Sequence, residues 1–182
     1  MTLYTQTGDD GTTDRPGGRR VPKSDPLVAA GGAVEELNAH LGLCLARARV
    51  DGVEAIVEPL ALAQPDLLSA GALLAVVGTG RQPETSLDAS TVQRIERTID
   101  EADASLPALA TFILPRGTEL ACRLHVARTV CRRAERGVVA AGATADVPAV
   151  VLTFLNRLGD LLFVLARRAN HAAGVEDEPW RR

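Results

Sequence analysis

The chain has 182 residues, 46% of them hydrophobic and 24% charged, with 20 basic and 23 acidic side chains for a net charge of −3. That is enough chain to bury a core without disulfides or metals, and the mildly acidic balance argues against a general nucleic-acid or membrane-surface role. Aromatic residues are only 3% while Ala, Leu and Val dominate, a composition that favours helices over strands.

Residues 1–26 carry almost no apolar periodicity; glycines and prolines punctuate TGDDGTTDRPGGRRVPKSDP, which predicts a flexible loop. The start is polar and lacks a signal-peptide pattern, and the odd, sparse set Cys44, Cys122 and Cys131 fits a reducing compartment, so a cytoplasmic location is expected. Val34, Leu37, Leu41, Cys44 and Ala48 step by three or four and predict a first helix. A second apolar segment runs from Val53 to Val77; Pro59 and Pro65 inside it predict a late start or a kink. Its apolar run Leu67 to Val77 reads as too short to span a bilayer. After the loop 78–86, Val92, Ile95, Ile99 and Ala102 predict a third helix with Ser90 as N-cap. SLPALATFILPRG (105–117) reads as a connection. Leu124, Ala127, Cys131, Ala134 and Val138 mark a fourth helix, and Leu155, Leu158, Leu162, Leu165 and Ala169 a fifth that ends near Gly174. The expected fold is all-α: one domain, with an N-terminal loop (1–26), a five-helix bundle of up-down, ferritin-like architecture (27–174) and a polar tail (175–182) that Trp180 pins to the body.

Three features carry candidate chemistry. On the fourth helix, His125, Arg128, Arg132 and Arg136 line one face with Glu135 beside them; guanidiniums in that row can grip phosphate oxygens, although a solvated charged face is the commoner use of such a run. On the fifth, Asn156, Asp160, Phe163 and Arg167 form a stripe that suits either a binding site or a buried network fixing helix register. The loop TGDDGTT, with Lys23 downstream, has the look of a phosphate-binding turn without being a Walker A motif. Cys122, His125 and Cys131 supply only three candidate ligands where a structural zinc site needs four, so they read as core groups. No nucleophile–base arrangement is visible, which leaves the reactive chemistry to a substrate or cofactor.

Together, YTQTGDDGTT, GGRRVPK, VEELNAHLG, TFILPRG, LHVARTVCRRAERGVV and FLNRLGDLLFVLARRAN resemble, in order and over nearly the whole chain, the PduO-like ATP:cob(I)alamin adenosyltransferases. The resemblance implies a transferase that moves the 5′-deoxyadenosyl group of ATP to the cobalt of reduced cobalamin and releases triphosphate, with Mg²⁺ on the phosphates. It implies a homotrimer with sites between subunits. In it, Thr5, Gln6, Thr7, Gly8, Thr13, Asp14 and Lys23 would close over ATP. Arg132, Arg133, Glu135, Arg136 and Asn156 would come from the neighbouring subunit. Arg128 would pair across the interface with Glu35, and Phe112, with Phe163, would face the corrinoid. The chain departs from the family pattern at Gln6, Glu35, Gly31 and Arg116.

An electron-donating reductase and a B12-dependent enzyme receiving the product are the partners this implies. The alternatives are a non-catalytic trimeric bundle that holds ATP or corrinoid as carrier or sensor, and a purely structural bundle.

Overall fold

A computed structural model describes residues 4–83 and 87–181. Five helices, α1 (Pro26–Asp51), α2 (Glu54–Val76), α3 (Ala89–Asp103), α4 (Glu119–Gly142) and α5 (Ala149–Ala172), follow a hairpin of β1 (Thr12–Arg15) and β2 (Arg19–Pro22).

Three of the helices, α1, α3 and α4, begin where a side chain accepts from the first backbone donors. Asp25 caps α1, its Oδ1 accepting from Leu27 N at 2.9 Å, with Pro26 at the first helical position; Gly52, at φ 67°, ends it. The α3 cap is Asp88 and not Ser90: Asp88 Oδ1 accepts from Ser90 N (2.9 Å), Thr91 N (3.2 Å) and the Ser90 hydroxyl (2.6 Å), so the helix starts at Ala89 and Ser90 falls within its first turn as a donor. The Thr118 hydroxyl caps α4 by accepting from Ala121 N at 3.1 Å. Prolines 59 and 65 do not delay α2, which starts at Glu54 directly after a two-residue turn and runs through both.

Cross-helix bonds fix the order as up-down-up-down-up. Asn38 and Gln64 exchange side-chain-to-carbonyl bonds between α1 and α2. Arg47 reaches Glu119 and Arg133 reaches Glu36, so α1 and α4 run antiparallel. Asn156 meets Glu135 near one end of the α4–α5 pair and Asn170 meets Thr118 near the other. Arg94–Asp66 ties α3 to α2, and Arg157–Glu96 ties α5 to α3. The core between them is aliphatic, from Val34, Leu37 and Leu41 to Phe154, Leu158 and Leu165.

By length and composition alone, α2 and α5 are long and apolar enough to cross a membrane, contrary to the shorter estimate from the uninterrupted run Leu67–Val77. Ile56, Leu60, Leu67 and Leu74 of α2 and ten Ala, Val, Leu and Phe residues of α5 are buried in the bundle, while Leu62 and Leu68 of α2 are exposed.

The N-terminal segment is not the irregular loop expected. Thr12↔Pro22, Thr13↔Val21, Asp14↔Arg20 and Arg15↔Arg19 pair as an antiparallel ribbon. Val21 is its buried anchor, and Arg15 donates to the carbonyls of Ala75 and Val77 at the end of α2. The hairpin therefore sits at the end of the bundle where α1 begins and α2 stops. Residues 104–118, which carry Phe112, lie at the opposite end, where α4 begins and α5 stops.

Candidate functional site

The row on α4 resolves into distinct roles along its length. His125 is buried, its ring centroid 6.2 Å from that of Phe163 on α5. One turn on, Arg128 lays its guanidinium over the same Phe163 ring, 5.3 Å from the centroid, a cation–π contact that orients both side chains. Arg132 and Arg136 follow, exposed, and among the described residues neither makes an ion pair; Arg136 Nη1 only donates to the Arg132 carbonyl at 3.1 Å. Arg133 turns to the other side and pairs with Glu36.

Glu135 accepts at 3.0 Å from Asn156 Nδ2, while Asn156 Oδ1 accepts at 2.7 Å from Arg157 Nη1. Arg157 in turn donates to Glu96 at 2.8 Å and lies 3.8 Å from Asp160. The amide of Asn156 is thus fixed in one orientation at the α4–α5 seam, held by the Glu135 that lies between Arg132 and Arg136 along α4. Below the seam, burial pushes the Cys131 thiol up to about 12, and its Sγ donates to Leu155 O at 3.2 Å; it is a packing group, not a ligand or nucleophile. Burial also holds His125 below the usual imidazole range, with the Arg128 charge acting in the same direction.

The stripe on α5 divides. Asn156 is exposed at the seam, whereas Arg167, 4% exposed, reaches out to a separate set of partners, Asp103, Asp177 and the Pro107 carbonyl. Eleven residues of helix, about 16 Å, separate them. The register-fixing network and the candidate binding site were both legible in the stripe, at opposite ends of it.

The hairpin end is a loop built around backbone and small side chains. Thr5 and Thr7 share a hydroxyl–hydroxyl hydrogen bond at 2.9 Å, and Gln6 adopts the left-handed φ of 63°. Lys23 N donates to Gly11 O at 2.9 Å, and the Lys23 ammonium stands 3.4 Å from where a Cβ on Gly8 would sit. The ammonium thus lies over the loop backbone at Gly8, beside the Thr12 carbonyl. Thr13 lies in β1, and Asp14 accepts from Arg20 at 3.3 Å.

Arg20 is the residue the sequence reading passed over: its guanidinium gathers Thr7 O, Thr12 Oγ1, Asp10 and Asp14. Its place in GGRRVPK gave no periodic signal, and only the strand register opposite Asp14 identifies it. Arg157 was missed for a related reason, since its partners lie on another helix.

Within one chain the two halves do not meet. Among the described residues no hydrogen bond or ion pair links residues 5–23 to Arg132, Glu135, Arg136 or Asn156, and Glu35 makes none with Arg128. Phe112 stands 78% exposed on its own segment.

A family model described as cobalamin adenosyltransferase matches residues 3–169. A cobalamin adenosyltransferase of Cupriavidus metallidurans is 43% identical over 180 residues, covering 99% of this chain and 94% of that protein. The corrinoid adenosyltransferase of Bacillus subtilis is 40% identical, covering 100% and 93%. Among solved structures, a phenylalanine-to-alanine variant of the PduO-type ATP:corrinoid adenosyltransferase from Lactobacillus reuteri, complexed with cobalamin and ATP, superposes with a TM-score of 0.90 at 35% identity over 100% of both chains. An arginine-to-lysine variant of the enzyme from the same organism, complexed with ATP, gives 0.88 at 35% identity over 98% of this chain and 100% of that one. The chain belongs to the cobalamin adenosyltransferase family.

Proposed function

We propose that the chain transfers the 5′-deoxyadenosyl group of ATP to the cobalt of cob(I)alamin, with the α4–α5 seam and the N-terminal loop as the two halves of its nucleotide site. The observation that carries this is a pair of exposed guanidiniums, Arg132 and Arg136, with no ion-pair partner among the described residues, flanking on α4 the Glu135 that with Arg157 locks the Asn156 amide. Unpaired cations next to a fixed donor–acceptor group suit a polyphosphate and a sugar more than they suit fold stability.

Co(I) is the nucleophile: its electron pair forms the Co–C5′ bond while the C5′–O5′ bond breaks, and triphosphate leaves with the electron pair of the broken C5′–O5′ bond. Nothing in this step needs a protein nucleophile. The protein holds the two reactants in line and stabilises charge gathering on the leaving oxygen. Lys23, Arg132 and Arg136 supply the positive charge, and Mg²⁺ accompanies the triphosphate as its counter-ion. Thr5, Thr7 and the left-handed turn at Gln6 present hydroxyls and backbone N–H groups to the nucleotide, and Arg20 holds that loop in shape. Phe112, held away from the core, faces the lower side of the corrin and displaces the axial base, which makes Co(II) easier to reduce by a separate electron-donating reductase. A B12-dependent enzyme then receives the product.

Because hairpin and seam do not touch within one chain, the site is completed between copies. A homotrimer, with Glu35 of one subunit opposite Arg128 of the next, supplies the missing half. The exposed Leu43 and Val126, which flank a cavity of about 340 Å³ between α1 and α4, support apolar contact between copies. The setting is the cytoplasm.

Incubation with ATP, Mg²⁺ and chemically reduced cobalamin is expected to give the spectrum of adenosylcobalamin. Absence of conversion at saturating substrates, with both ligands still bound, would instead favour a carrier or sensor. Light scattering is expected to return three chains per particle; a monomer fully active at assay concentration would rule out a shared site.

A further inference from the structure

A side chain as exposed as Phe112 cannot be positioned by its own packing; only its backbone can place it. Residues 104–118 contain no helix or named strand, and a cavity of about 550 Å³ lies behind them, lined by Leu106, Leu109, Ile113, Val175 and Pro179. Within this segment core packing holds Leu106 alone, at its start.

Two residues one turn apart on α5 hold the segment. Asn170 is 2% exposed. Its Oδ1 accepts from Thr118 N at 2.9 Å and its Nδ2 donates to Arg116 O at 3.0 Å, so the amide straddles Gly117. A Cβ on Gly117 would stand 2.0 Å from that Oδ1, and the glycine sits at φ +120°, so the backbone lies flat against the asparagine only because position 117 has no side chain. Arg167, 4% exposed, holds the other end: Nη2 donates to Pro107 O at 2.6 Å, Nε to Asp177 at 2.7 Å and Nη1 to Asp103 at 3.3 Å. From outside, the tail closes the clamp. Leu114 N donates to Glu178 O at 2.9 Å, Trp180 N to Phe112 O at 2.8 Å, and Arg116 pairs with Glu178 at 2.8 Å. A buried amide and a buried guanidinium keep their bonds because losing any one strands a desolvated polar group, so the segment has one favoured geometry.

We propose that Asn170 and Arg167 are positioning residues that set the Phe112 ring against the lower face of the corrin, acting through the backbone of 107–117. This rests on the reading of Phe112 given above. It predicts a defect confined to corrinoids that carry a lower base, because a base-free corrinoid such as cobinamide has nothing to displace.

The test compares Asn170→Ala, Asn170→Asp and Phe112→Ala with the unaltered protein, using cobalamin and cobinamide as alternative substrates. ATP affinity and the coordination of bound Co(II), read by electron paramagnetic resonance, are measured alongside. Asn170→Ala is expected to lower kcat with cobalamin by about 10- to 100-fold, the range for misplacing a reacting group by roughly 1 Å, and to leave cobinamide turnover and ATP Kd near normal. Bound cob(II)alamin should then keep its axial ligand. If Asn170→Ala does not fold, Asn170→Asp carries the test: it keeps the bond from Thr118 N and sets a carboxylate oxygen against Arg116 O. An equal fall on both corrinoids, or no fall, while Phe112→Ala discriminates between them, overturns the clamp. If Phe112→Ala itself fails to discriminate, the reading of Phe112 falls, and the clamp's purpose with it.

Discussion

Arg132→Ala separates binding chemistry from fold stability better than any other single change. The side chain is exposed, makes no ion pair among the described residues and contributes only its backbone carbonyl, which accepts from Arg136 at 3.1 Å. Truncating it leaves that carbonyl in place, so the melting temperature should hold, as for surface substitutions worth within about 0.5 kcal/mol. A charged hydrogen bond to phosphate is worth about 1.5–3 kcal/mol. At 1.36 kcal/mol per factor of ten, its loss from the transition state lowers kcat/KM by about 10- to 150-fold. Arg132→Lys keeps the charge but loses the planar fork and should fall between the two. Arg133 is the internal control: its guanidinium is already paired with Glu36 in the same chain, so Arg133→Ala should cost less activity than Arg132→Ala. Initial rates of adenosylcobalamin formation against ATP, beside a thermal melt, decide the matter. A rate within twofold of normal, or a loss that tracks a fall in melting temperature, would refute the phosphate role.

Other outcomes follow from the same geometry. His125 binds fewer protons folded than unfolded, because burial lowers its pKa and Arg128 adds to the effect. Stability is therefore complete above the unfolded value near 6.5 and is lost as pH falls through the lowered folded value. His125→Gln should flatten the decline of melting temperature below about pH 6.5, and an unchanged slope would assign that decline elsewhere. Burial pushes Cys44 up to about 11 and Cys131 up to about 12, so iodoacetamide at mild alkaline pH should label Cys122 first on the native protein; mass spectrometry showing Cys131 labelled first would contradict its packing. Arg20→Ala should raise the Kd for ATP several-fold by titration calorimetry while the bundle melts as before, since the exposed guanidinium braces only the loop and hairpin; unchanged ATP affinity would remove Arg20 from the nucleotide site.

The helices were legible because each one buries a stripe with a period the chain writes locally. Val34, Leu37, Leu41, Cys44 and Ala48 recur along one face of α1 and all of them are buried. What local pattern could not show was competition and pairing. Ser90 looks like a cap until the carboxylate two residues earlier starts the helix sooner and takes the serine's own N–H and hydroxyl as donors. The hairpin looks irregular because two four-residue strands flanking a Pro-Gly-Gly turn are too short for alternation to register. Val21, its one buried residue, has no periodic neighbour.

The candidate site was legible to the degree that it lies on one helix face. Arg128, Arg132 and Arg136 share a wheel position, and the structure keeps them on one ridge with Asn156 beside Glu135. The clamp behind Phe112 was invisible for the opposite reason. Asn170 closes the motif FLNRLGDLLFVLARRAN as an ordinary C-terminal polar residue, and Gly117 reads as loop punctuation. Only the fold sets position 170 against residues 52 to 54 earlier in the chain. Sequence spacing displays chemistry that a helix repeats, whereas the parts that aim that chemistry are held by contacts between distant segments. The site proposed between copies rests on the same kind of contact: Arg15 ties the hairpin to the end of α2 through the Ala75 and Val77 carbonyls, a pairing that no local pattern in the sequence displays.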